Sequence, residues 1–145
     1  MTNEISVPKT IGAVSEQWAA RVDELTKVLR QHPAKVELPI EQHLHAGMYS
    51  RTVHQPAGVL CTAVMVHVPT QLIVHGHCRI YADGTAFEVN GHAVLEGVPG
   101  RQIVVYTLED TWGTMCFGTQ AKTIEEAEKE FAGDGFKELS NHWEK

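Results

Sequence analysis

Basic residues are scarce in this chain: 12 Lys and Arg stand against 18 Asp and Glu, a formal net charge of -6 over 145 residues. Binding along a phosphate backbone needs clustered cations that displace counterions, so the balance argues against nucleic acid as a partner. Cysteine is also sparse. Cys61, Cys78 and Cys116 lie far apart in apolar runs with no Cys-x-x-Cys pair, which removes a disulfide framework or thiolate zinc site and predicts reduced core thiols. Long apolar runs are missing too, and no stretch approaches the roughly 20 residues of a membrane span. Residues 1–10, MTNEISVPKT, contain neither a basic nor an apolar signal region. The expectation is a cytoplasmic protein with no membrane partner. There is no GxSxG elbow, no Walker-type loop ending in Lys-Ser or Lys-Thr, and no HExxH helix, so no catalytic residue is assigned.

Histidine, by contrast, is plentiful. Nine are present, four of them in the i, i+2 pairs His43-Leu44-His45 and His75-Gly76-His77. An extended strand sends side chains i and i+2 to one face, so each pair is a possible imidazole clamp for Zn, Cu, Fe or Ni. Gly76 breaks the alternation of the second pair, and surface positions beside turns account for His54 and His92.

The length predicts one domain that folds without staples. Val14, Trp18, Val22, Leu25 and Leu29 recur at helical steps, predicting an amphipathic helix from about Ala13 to Arg30, stopped at His32-Pro33. From 35 to 120 the pattern turns to eight or nine short strand-like runs, among them 36–38, 48–53, 59–67, 71–75, 78–82, 86–89, 93–95, 102–107 and 112–119. Asp83-Gly84 and Asn90-Gly91 are read as tight hairpin turns. Glu109-Asp110 is read as a turn before the last strand, with Asp110 capping backbone donors and Trp112 packed inside. A capping box at Thr123 to Glu126 opens a second helix that ends near Gly133. Phe136, Leu139 and Trp143 in the tail are spaced to dock on the body. The chain thus divides into an N-terminal helical segment (1–34), a β-barrel (35–120) and a C-terminal helix and tail (121–145).

A strand region with Gly58, His67 and Gly76, followed by a Val98-Pro99-Gly100 turn, resembles the cupin family. That resemblance implies an all-β fold, a cupin-type double-stranded β-helix or jelly roll, with flanking N-terminal and C-terminal α-helices on the outside. Most of the family's metal ligands do not carry over: Pro69 stands where a second histidine is expected, Gln71 near the expected acid, and residues 101–110 (RQIVVYTLED) contain no histidine. A further likeness, over about 39–131, is to small cupin-like proteins of tailed phages and prophages. It rests on the run from His43 to Arg51, Pro56-Ala57-Gly58, His67, Pro99-Gly100-Arg101, Tyr106, Glu109 to Trp112 and the acidic helix around Glu125 to Glu128.

Two site hypotheses follow. His43, His45 and His67 could form a facial set holding one divalent transition metal, Zn or non-haem Fe; the alternative is that His43 and His45 lie in an exposed segment or satisfy local backbone groups while His67 alone points inward as a hydrogen-bonded core histidine. Tyr49 and Arg51 share a strand face and, with His67, Gln71, Arg101 and Tyr106, could line a barrel mouth that takes an anionic ligand. The expected function is a phage-type accessory protein that binds a small ligand or a protein partner without turnover, in the host cytoplasm. A metal-dependent cupin enzyme and a structural phage component are the alternatives. A homodimer is expected, because Trp18 and Trp143 lie in terminal segments and cupins often pair.

Overall fold

The computed structural model describes residues 3–142. The first helix, α1 (Glu16–Gln31), starts where the Ser15 hydroxyl accepts the Trp18 N–H at 3.2 Å and stops at His32, whose extended backbone precedes Pro33. Its stripe is only partly covered, with Val22 and Thr26 buried. Polar contacts fix it to the outside of the sheet: Trp18 Nε1 donates to the Gln102 carbonyl at 2.8 Å, and the Thr26 and Thr62 hydroxyls meet at 2.6 Å.

Eight strands make the rest: β1 (Asn3–Glu4), β2 (Thr10–Ile11), β3 (Ile40–His45), β4 (Met48–Gln55), β5 (Leu60–Thr62), β6 (Thr70–Ala82), β7 (Thr85–Gly97) and β8 (Val104–Gly118). They pair in the order β1-β7-β6-β8-β4-β3, with β2 added on β7 and β5 on β8. The short β1 and β2 run parallel to β7, and all other pairs are antiparallel.

The long strands bend once each, and that bend rolls the sheet. Near its middle β6 reaches Gly76, which lies opposite Gly91 of β7 while the register with β8 shifts. At Gly76 a Cβ would lie 2.5 Å from the Thr111 hydroxyl and 2.6 Å from the Asp110 carbonyl, and φ is +143°. Only glycine fits this corner. Thus the segments 71–75 and 78–82 form one strand, 86–89 and 93–95 another, and the expected hairpin at Asn90-Gly91 is instead the corner partner of Gly76. Asp83-Gly84 is the real hairpin, with positive φ at both residues. Asp110 likewise sits inside β8 at the same corner, where its carboxylate accepts the Ala57 N–H at 3.0 Å. Trp112 points outward, at 42% exposure, because the bulge resets the inward set to Thr111, Gly113, Met115 and Phe117. Residues 36–38 form no strand, and 59–67 shrinks to β5 plus one bridge between Val66 and Arg101.

The second helix, α2 (Ile124–Ala132), begins at Thr123, whose hydroxyl accepts the Glu126 N–H at 3.1 Å. It is not an external appendage. Ala127, Glu128, Phe131 and Ala132 are buried, and Phe131 stacks on Tyr49 with ring centroids 5.6 Å apart. Short 3-10 turns at Gly133–Glu138 and Ser140–His142 continue the cap, with Leu139 buried. Trp143 lies outside the described residues. The core is one cluster that runs from Ile80, Phe87 and Val89 through Leu95 and Met115 to Tyr49, Phe117 and the inner face of α2.

Candidate functional site

Strand alternation divides the candidate residues between the two faces of β3 and β4. Tyr49 and Arg51 share a face, as their spacing predicts, and that face is the inner one, where both are buried. Opposite Arg51 in the register is Gln42. Its side-chain oxygen accepts the Tyr49 hydroxyl at 2.6 Å and approaches Arg51 Nη1 at 3.4 Å. Burial holds the Tyr49 phenol above its ordinary range, against the opposing pull of Arg51.

The same guanidinium is already served by the cap. Arg51 Nη1 lies 3.5 Å from the Glu128 carboxylate of α2, which is 2% exposed, and Nη2 donates to Asn141 Oδ1 at 2.7 Å. Asn141 in turn donates to Glu128 at 2.9 Å, and His142 Nε2 lies 3.0 Å from the other carboxylate oxygen. Glu128 therefore occupies the place an anionic ligand would take beside Arg51. Sequence reasoning missed Gln42, Glu128, Asn141 and His142. For Glu128 a signal exists: it falls on the stripe of Ile124, Ala127 and Phe131, where a carboxylate is out of place unless it has a buried partner.

Arg101 stands apart from this network. It is 3% exposed, its Nε donates to the Thr70 hydroxyl at 3.2 Å, and a Cβ on Gly97 would come within 2.4 Å of it. Desolvation lowers its pKa to about 10. No carboxylate pairs with it among the described residues.

The remaining candidates lie outside the barrel. His67 is exposed, the reverse of the expected inward direction, because its segment runs as a connection over the cap: its N–H donates to the Phe131 carbonyl at 2.8 Å, and its ring lies against Gly133. His43 and His45 do share a face, but the solvent one, and His43 pairs with Glu41 at 3.2 Å. The structure does not bring these three imidazoles together. Among the described residues no three His, Cys, Asp or Glu side chains converge as a metal centre. Gln71 is exposed, opposite Glu96 and Cys116, and Tyr106 lies on the outer face opposite Leu60.

Little space remains inside. A cavity of about 60 Å³ lies among Val53, Gln55, Leu72, Cys78, Ile103 and Thr111. Sites for metabolite-sized ligands span roughly 300–1,000 Å³, so this cavity is too small for such a ligand. A groove of about 520 Å³ beside Gly118, Thr119, Gln120, Ala121 and Glu130 is open to solvent and lies outside the bore. Burial pushes the Cys61 and Cys78 thiols up to about 11, so neither is an activated nucleophile.

A rolled, mostly antiparallel sheet with a Pro-Gly turn before its last long strand and a helix at each end defines a cupin-type β fold. Comparison with solved structures agrees. A cupin superfamily protein from Desulfitobacterium hafniense matches with a TM-score of 0.50 at 9% identity, over 66% of this chain and 88% of that one. A cupin 2 conserved barrel domain protein from Salinispora arenicola matches at 0.48 and 14% identity, over 57% of this chain and 76% of that one. The cupin domain of a Schizosaccharomyces pombe protein matches at 0.48 and 15%, over 63% and 72%. At such identities the likeness is one of fold alone. No family model matches the sequence, and no curated protein does.

Proposed function

We propose that this cupin-fold chain is a non-catalytic binding protein that works from its outer surface, with a protein as its partner and a second copy of itself as the first such partner. The observation that carries this reading is the packed interior: the cavity among the core residues, about 60 Å³, is too small for a metabolite, and Glu128 already pairs with Arg51. The surface that fits a partner is the apolar patch of Leu60, Tyr106 and Leu108. Leu60 and Tyr106 are opposite in register, Leu108 is two residues further on, and all three are about two-fifths exposed. Sedimentation at micromolar concentration tests it. Twice the chain mass, reduced to a single chain mass by Tyr106→Asp, supports the reading, and a single chain mass for the unaltered protein overturns it. The phage-type setting rests on the sequence likeness alone.

Arg101 supports a second reading, capture of a small anion. A buried guanidinium with one hydroxyl partner has donors to spare, and phosphate or carboxylate oxygens suit them. Phosphate or citrate should then raise the melting temperature of the protein but not that of Arg101→Met. Equal responses would remove the reading.

A further inference from the structure

On the outer face of the sheet, four rings stand in one row across four strands. His54 of β4 is opposite Trp112 of β8, Trp112 is opposite His75 of β6, and His75 is opposite His92 of β7. Successive ring centroids are 4.5, 6.3 and 5.9 Å apart. His54 is stacked on the indole with an interplanar angle of 2°, but His75 and His92 are tilted by 55° and both exposed. Directly opposed strand residues have Cβ atoms about 5 Å apart, which lets two imidazoles turn their nitrogens toward one point above the sheet. Among the described residues β7 has no outer neighbour at His92, since β1 pairs with it only at Thr85 and Ala86 and β2 only at Glu96 and Gly97. A hydrated ion can therefore approach from the side.

We propose that His75 and His92 form a two-imidazole chelate for a divalent transition metal, with Cu(II) and then Ni(II) favoured by their affinity for nitrogen donors, and water in the remaining positions. His77, two residues from His75, is not part of it. The bulge at Gly76 turns its ring between Glu88 and Glu109, at 3.1 and 3.5 Å.

Trp112, 6.3 Å from His75, reports on the ion, because Cu(II) quenches a nearby indole. Tag-free, chelator-stripped protein titrated with copper chloride should lose the Trp112 part of its emission, identified with Trp112→Phe, and saturate at one ion per chain. His75→Ala and His92→Ala should each abolish that saturable quenching. His54→Ala and His77→Ala should keep it. Calorimetric titration of Trp112→Phe should still show one ion bound. Quenching that survives in His92→Ala, or calorimetry that shows no binding, overturns the proposal. His75 and His92 are exposed and His54 and His77 half-buried on the outer face, and far-UV circular dichroism verifies that each variant is folded.

Discussion

Cutting the tie between Arg51 and Glu128 gives the most demanding test of the closed mouth. The two side chains are 8% and 3% exposed, and their 3.5 Å contact is supported by Gln42, Asn141 and His142. Water cannot replace a lost partner at that depth, so removing one charge leaves the other uncompensated, a loss of about 3–5 kcal/mol. Glu128→Leu and Arg51→Met each remove a charge while keeping apolar volume, and each is expected to cost about 3 kcal/mol by that reasoning. The double variant is expected to cost less than either single change, because the unpaired-charge penalty disappears when both charges are gone, so the two losses are far from additive. Urea denaturation measures this directly. With a slope of about 2 kcal/mol per molar, each single change lowers the midpoint by roughly 1.5 M, and the double lowers it by less. Additive losses, or single losses below about 1 kcal/mol, the range of solvent-screened pairs, would show that the helix does not seal the barrel.

Three other outcomes follow from the same coordinates. Gly76→Ala pushes a Cβ onto the backbone of Asp110 and Thr111 at a positive φ, so stability should fall by more than about 2 kcal/mol; an unaffected thermal midpoint would refute the corner geometry. Because burial raises the Cys61 and Cys78 thiols from 9.0 to about 11, the neutral thiol is favoured in the fold. Their contribution is whole below pH 9 and drains away as the pH climbs toward 11, and Cys61→Ala with Cys78→Ala should flatten that alkaline decline in denaturation midpoint. Arg101→Met exchanges a desolvated charge for an apolar chain of similar length, so in anion-free buffer it should be neutral or stabilising by up to about 2 kcal/mol; a loss of that size would show that the guanidinium is a structural tie.

Local chemistry was legible in the sequence wherever it decided the outcome. Thr123 caps the second helix as read, Pro33 ends the first, Asp83-Gly84 turns the hairpin, and the period-two spacing of Tyr49 and Arg51 puts both on one face. What failed is what distance in the chain hides. Asn90-Gly91 has the composition of a tight turn, yet two long strands pass through it and Gly76 because the roll needs a corner without side chains. The same alternation that aims Arg51 inward sends His43 and His45 to solvent, since β3 places Gln42 and Leu44 on the inner side. Spacing fixes which residues share a face and leaves open which face meets the core. Glu128 was visible as a charge on an apolar stripe, but its partner is 77 positions away, a pairing that only the fold discloses.

That long separation also bears on how the protein assembles. While it is being made, the sheet is complete at Gly118, before the carboxylate that pairs with Arg51 has been added. Until α2 arrives, the half-built molecule holds a guanidinium and two aromatic rings facing an open end, the kind of intermediate that sticks to its neighbours. α2 thus covers that end only after the sheet has been made, and any segment grafted between Gly118 and Thr123 delays its arrival.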